Sequence, residues 1–189
     1  MHTGLYRETR AKRRGAMVRG VSPFTIREAR VADLESIDRI YDHYVLQSTC
    51  TAQFEPAGMQ ARTEWFAEHD ARHPIVVAEA EPGVVLGWGS LSVYNRRAGY
   101  GDTVEDSVYI AHDARRRGVG SGILAHLVRR AGKLGHHTII AGISGDQDPS
   151  IALHAKHGFV EVGRMREVVC KFGKWLDVIY MQRDLPSPP

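Results

Sequence analysis

A β-branched and aromatic run, Val104 to Ile110, turns away at Ala111 to Arg117 into a glycine-containing segment, RRRGVGSG, and then into a long helical pattern. Val119, Ile123, Leu124, Leu127, Val128, Ala131 and Leu134 recur at helical spacing, and Gly135 stands where a glycine ends a helix. A strand that feeds a helix through glycines leaves the first helical N–H groups unpaired and aims a partial positive charge outward, so the junction is suited to holding phosphate. Gly118, Gly120 and Gly122 would let an anion reach the backbone with no side chain between. A P-loop needs Lys followed by Ser or Thr after the last glycine, and a dinucleotide fingerprint needs Gly-x-Gly-x-x-Gly with an acid about 20 positions on; neither is present. Plain packing of helix on strand accounts for the same glycines, so the turn alone does not decide between binding and architecture.

The flanking segments change hydrophobic period repeatedly, as alternating strands and helices do. Phe24 to Arg30 alternates like a short strand; Leu34, Ile37, Ile40, Tyr41, Tyr44 and Val45 then mark one face of a helix. A weaker helical stretch spans about Met59 to His69, closed by Pro74, and Ile75 to Ala80 and Val84 to Val93 read as a hairpin around Glu81, Pro82 and Gly83. Tyr94 to Gly101 reads as loop, and Asp148 to His154 as the start of a short helix.

With 189 residues, the chain has room for one well-filled core, so a single domain is expected over 24–185, with a basic arm at 1–23 and a tail at 186–189. The net charge of +3 comes from that arm, where Arg7, Arg10, Lys12, Arg13, Arg14 and Arg19 crowd together; without it the remainder is acidic or near neutral, so no nucleic-acid partner is expected. No apolar run approaches the roughly 20 residues of a membrane span, so no membrane partner and a cytoplasmic location are expected. Cys50 and Cys170 have no metal-ligand spacing, so buried free thiols and no metal site are expected.

Arg115, Arg116, Arg117, Gly118, Val119 and Gly120, directly behind Ser107, Val108, Tyr109 and Ile110, match the Arg/Gln-x-x-Gly-x-Gly/Ala signature of the GCN5-related N-acetyltransferase (GNAT) superfamily. From Ile26 to Leu185 the chain resembles the phosphinothricin and methionine sulfoximine acetyltransferase branch. The match rests on His43 and Tyr44 with Ser48 and Thr49, on Arg97 to Tyr100, on Glu105 before Val108 to Ile110, on Asp148, Pro149 and Ser150 with His154, Gly158 and Phe159, and on Gly173 to Val178. The resemblance implies an α/β (α+β) fold: a mixed, mostly antiparallel central sheet splayed at the acetyl-CoA site, with helices on both faces, in a homodimer. It also implies acetyl transfer from acetyl-CoA to the amino group of a small amino-acid-like substrate. A peptide or protein acetyltransferase and a non-catalytic coenzyme-A-binding module are the other readings.

By the same resemblance, Val108, Tyr109 and Ile110 pair with the pantetheine arm, and Arg115, Arg116, Arg117, Gly118, Val119, Gly120, Ser121 and Gly122 form the pyrophosphate turn. Gln147, where the branch carries asparagine, and Ser150 complete the expected cofactor contacts. An ammonium group must lose a proton before it attacks a thioester, and Glu105 matches the family's glutamate, with Asp106 the lesser option and a solvated acid the bland alternative. His154 matches the branch's histidine, as donor to the departing thiolate, as base or relay, or simply as a core residue. Arg97 supplies the fork that a carboxylate or phosphinate wants, unless it is merely a solvated loop residue; Tyr44, Phe54, Tyr100 and Trp175 are candidate pocket walls, although aromatics often serve the core.

Overall fold

The computed structural model describes residues 24–186. The basic arm at 1–23 and all but the first residue of the tail lie outside the described residues. Seven strands run β1 (Thr25–Glu28), β2 (Ile75–Glu79), β3 (Val85–Val93), β4 (Thr103–Ile110), β5 (Thr138–Ser144), β6 (Val160–Lys171) and β7 (Lys174–Asp184). Four helices are α1 (Leu34–Gln47), α2 (Gly58–Ala67), α3 (Val119–Lys133) and α4 (Asp148–Lys156). The strands form one sheet in the order β1-β2-β3-β4-β5-β7-β6, and every pairing is antiparallel except β4 with β5. Parallel neighbours need a crossover, and α3 supplies it.

Both faces of the sheet are covered, so β2 is apolar without alternation. Val76 and Ala78 join the α3 residues Ile123, Leu124 and Leu127 in one core, while Ile75 and Val77 join the α1 residues Leu34, Ile37 and Ile40 in the other. α4 packs on the α3 side through Ile151 and Leu153. Thus β4 carries Val104, Asp106, Val108 and Ile110 towards α3, and Glu105, Ser107 and Tyr109 towards α1 and α2.

Close approach of α3 depends on Gly89. A Cβ there would lie 2.6 Å from Ile123 Cγ2 and 2.8 Å from the Ser107 carbonyl oxygen, and a backbone atom cannot swing aside. Gly89→Ala is therefore expected to destabilise the fold by about 2–3 kcal/mol, read as a lowered denaturation midpoint; an unchanged midpoint would mean that α3 does not pack at this distance.

One boundary, one loop and one burial expectation need correction. Helix α2 ends at Ala67, two residues short of the expected His69, because Glu68 caps it and the chain breaks into turns held by Asp70, which accepts from the backbone N–H groups of Arg72 and His73. The loop after β3 contains a single helical turn, Ala98–Tyr100. Both thiols are free, but Cys50 is half-buried and Cys170 is exposed, since β6 is an edge strand with most of its residues in solvent. Gly135 sits at φ +80°, as the residue that ends α3 should.

Candidate active site

β4 and β5 pair only at Thr103↔Thr138, Val104↔Ile139 and Glu105↔Ile140. Past that point they diverge, while β4 stays paired with β3 as far as Ile110 and β5 with β7 as far as Ser144. The result is a wedge between two inner strands, each with one edge lacking a strand partner. A cavity of about 850 Å³ fills it, lined by Asp106 to Ile110 on one side and Ala141 to Ser144 on the other.

The wide end of the wedge meets the first turn of α3. Arg116 (φ 60°) and Gly118 (φ 80°) both adopt the left-handed conformation, which turns successive backbone groups into a concave nest suited to an anion. The first turn of α3 carries no acid. Arg115, Arg116, Gly118, Val119, Gly120 and Ser121 line the cavity, as do Val108, Tyr109, Ile110, Gln147 and Ser150. Arg117 and Gly122 do not: Gly122 lies one helical turn in and faces the Phe24 ring, 3.1 Å from where its Cβ would be. Gln147 Nε2 donates to Thr49 Oγ1 and to Asp146 Oδ1, both at 3.0 Å, tying the start of α4 to the α1–α2 connection across the cavity mouth.

The apex is the chemically distinctive part. Glu105 is the last residue of β4 paired with β5 and Asp106 is the first without such a partner, so they flank the apex on opposite faces. Glu105 is half-buried; a Cβ on Gly142 of β5 would lie 3.5 Å from its Oε1. Burial, followed by the nearby Asp106 charge, raises its pKa above the ordinary carboxylate range. On the other face Asp106 Oδ2 lies 3.1 Å from His154 Nε2, with the two side chains 1 % and 5 % exposed. His154 Nδ1 is 2.7 Å from the Ser150 carbonyl, which can only accept, so Nδ1 carries a proton. A second proton on Nε2 then meets the carboxylate. Burial pulls the imidazole pKa down, but the Asp106 hydrogen bond and charge, with the Ser150 carbonyl, outweigh it and the net shift is upward. Asp106 and His154 line the cavity; Glu105 does not.

The expected substrate residues are dispersed. Tyr44 lines the wedge cavity, donates to the Ile110 carbonyl at 2.6 Å and lies under the Arg115 guanidinium, so it braces the end of β4. Arg97 and Tyr100 are exposed in the loop before β4, with Tyr100 against Tyr94. Phe54 and Trp175 are each 64 % exposed and lie off the cavity. Sequence reasoning missed the β5 wall, the pairing of Asp106 with His154 and the place of Cys50 on the cavity wall. Burial pushes the Cys50 thiol up, so it holds its proton and is a poor nucleophile.

Comparison with known proteins is consistent with this geometry. The profile of the acetyltransferase (GNAT) family matches residues 37–159. An L-methionine sulfoximine/L-methionine sulfone acetyltransferase of Pseudomonas paraeruginosa is 39 % identical over 165 residues, covering 85 % of this chain and 94 % of its own. A phosphinothricin N-acetyltransferase of Streptomyces viridochromogenes is 37 % identical over 172 residues, covering 88 % and 92 %. The crystal structure of a phosphinothricin acetyltransferase from Sinorhizobium meliloti in complex with acetyl-CoA superposes with a TM-score of 0.83 at 39 % identity, covering 86 % of this chain and 88 % of that one.

Proposed function

The chain belongs to the GNAT acetyltransferase family, and from that premise we propose that residues 24–185 form an acetyl-CoA-dependent N-acetyltransferase acting on the amino group of a small amino-acid-like substrate such as methionine sulfoximine, methionine sulfone or phosphinothricin. The observation that carries this reading is the wedge apex, where a raised-pKa carboxyl and a buried histidine–carboxylate pair flank the point at which β4 and β5 part. The residues present fit coenzyme A: the nest at Arg116 to Gly118 and the acid-free start of α3 suit its pyrophosphate, and the open edges of β4 and β5 suit the amides of its pantetheine arm.

When bound, acetyl-CoA supplies the activated acetyl group. Glu105 takes the proton from the substrate ammonium, directly or through one water, and frees the lone pair that forms the new C–N bond as the C–S bond breaks. The raised pKa of Glu105 brings its base strength closer to what neutral-pH proton transfer requires. His154, held as an imidazolium by Asp106 and Ser150, sets a positive charge on the cavity wall that stabilises the departing thiolate, which then takes its proton from solvent water. Transfer is direct, because the protonated Cys50 offers no good acyl acceptor. Arg97 and Tyr100 anchor the substrate carboxylate at the loop end of β4.

A homodimer acting in the cytoplasm completes the proposal. Val162, Met165, Val168, Phe172 and Trp175 of the β6–β7 hairpin are 43 to 64 % exposed, an apolar set that a second copy would cover.

Release of free coenzyme A from acetyl-CoA, followed with phosphinothricin, methionine sulfoximine, methionine sulfone, common amino acids and polyamines, tests the function. Turnover is expected with at least one of the first three. Cofactor binding with no turnover on any amine would replace this reading with a non-catalytic or protein-directed one.

A further inference from the structure

Ser121, the third residue of α3, lines the wedge beside the Arg116 to Gly118 nest, and its hydroxyl is tied to a side chain outside the cavity. Ser121 Oγ lies 2.8 Å from Nε2 of His157, the residue that ends α4. Both residues are half-buried, and Gly158, at φ 80°, turns the chain directly behind the imidazole. Neither side chain takes part in the proton transfers at the apex.

The direction of this hydrogen bond depends on what occupies the nest. A phosphate oxygen accepts and does not donate, so the Ser121 hydroxyl must give its one proton to it. Only lone pairs then remain on Oγ for His157, and Nε2 must carry a proton and donate. The chain phosphate–Ser121–His157 thus fixes Nε2 as a donor and leaves Nδ1 to take a second proton without disturbing the contact.

Charge around the imidazole favours that second proton only beside an anion. The charged groups acting on His157 are Lys156 and His154 of α4 and Arg183 of β7, and His154 is itself held cationic by Asp106. Arg183 stands close: a Cβ on Gly158 would lie 2.5 Å from its Nη1, and its Nε is buried with no partner among the described residues. From α3 the ring meets the uncharged Ser121. Burial, and after it these cations, hold the imidazole pKa below its ordinary value, so near neutral pH His157 is largely uncharged. Two pyrophosphate charges one hydroxyl away would oppose the cations and favour the imidazolium.

We propose that His157 is a positioning residue for the cofactor: it orients the Ser121 hydroxyl proton onto the pyrophosphate, and it takes up a proton from solvent as coenzyme A binds. The proposal rests on the acetyl-CoA reading above and adds to it a coupling between cofactor affinity and pH. Lowering the pH through the neutral range charges His157 and tightens the cofactor; raising it loosens the cofactor.

The test is calorimetric titration of coenzyme A into the full chain across the neutral range, in paired buffers of unlike ionisation enthalpy, so that proton uptake is read beside affinity. Wild type, His157→Gln and Ser121→Ala are compared. His43, His112 and His154 also line the cavity, so the difference between wild type and variant is the quantity read. The amide in His157→Gln can still donate to Ser121 but takes up no proton. This variant should bind with less proton uptake than the wild type and match its affinity at the alkaline end. At the acid end it should bind about tenfold more weakly, the order expected when one hydrogen bond loses its charge assistance. Ser121→Ala should bind more weakly at every pH, since the donor to the pyrophosphate is gone. Should His157→Gln fail to fold, His157→Asn carries the same comparison. Equal proton uptake and equal pH dependence in wild type and His157→Gln, or wild-type affinity in Ser121→Ala, would overturn the proposal and leave the acetyl-CoA reading standing. A wild type that binds no coenzyme A would remove that reading and this one with it.

Discussion

Glu105→Gln is expected to lower kcat by about 10² to 10⁴ while leaving the fold and the affinity for coenzyme A unchanged. The amide keeps the size of the carboxyl, and Glu105 lies off the cofactor cavity on the α1-facing side, so the change removes a proton acceptor without touching the cofactor walls. The same assignment gives the pH dependence its sign. A base must be ionised to work, and the Glu105 pKa is raised by burial and by Asp106, so activity should fall as pH drops through that raised value. Asp106→Asn removes the second of these causes and should move the acid limb of the kcat/KM profile to lower pH. Initial rates across pH for both variants check the two statements; a Glu105→Gln enzyme with wild-type kcat would transfer the base role elsewhere.

Asp106→Ala is expected to cost about 3–5 kcal/mol of stability, because it leaves His154 charged or forced neutral in a site with almost no water. Its pH dependence is distinctive. The His154 pKa is raised in the folded protein, so the stabilisation from the pair is fully present below the ordinary imidazole pKa and is lost as pH rises through the raised one. Denaturant titrations of the wild type should therefore show stability declining over that alkaline window, and Asp106→Asn should flatten the decline. In activity, loss of the His154 imidazolium charge should give an alkaline limb, and that limb should move to lower pH in Asp106→Asn, since the charge holding the proton is gone. Stability of Asp106→Ala equal to the wild type would mean that the pair is not formed.

Elements with strong local signals are legible in the amino-acid sequence. The α1 and α3 stripes, the β2–β3 hairpin and the strand–glycine turn–helix junction are each fixed by neighbours in sequence, so their patterns carry them. β5 and the β6–β7 hairpin do not stand out by pattern: β5 is short and apolar on both faces, and β6 is an edge strand whose exposed residues include Val160, Val162 and Met165, so no alternation marks its inner side. The site divides in the same way. Gly118, Gly120 and Gly122 mark a junction suited to an anion because a helix start leaves N–H groups unpaired, although packing alone would use the same glycines. The Asp106–His154 contact spans 48 positions and exists only because α4 packs on the α3 face of the sheet, against α3 and β5. Alternation along β4 can put Asp106 on the face opposite Glu105; nothing local can name its partner. Gly122 shows the reverse case, a motif glycine that looks like part of the turn and serves packing against Phe24.

The most direct test of the central claim is a single-turnover reaction with acetyl-labelled acetyl-CoA and methionine sulfone, with label followed in the small-molecule product and in the intact protein. Direct transfer requires N-acetyl product to form at the rate at which coenzyme A is released, with no label on the protein at any time. Label appearing first on the protein, with Cys50 the nucleophile on the cavity wall, or coenzyme A released with no amide formed, would contradict it.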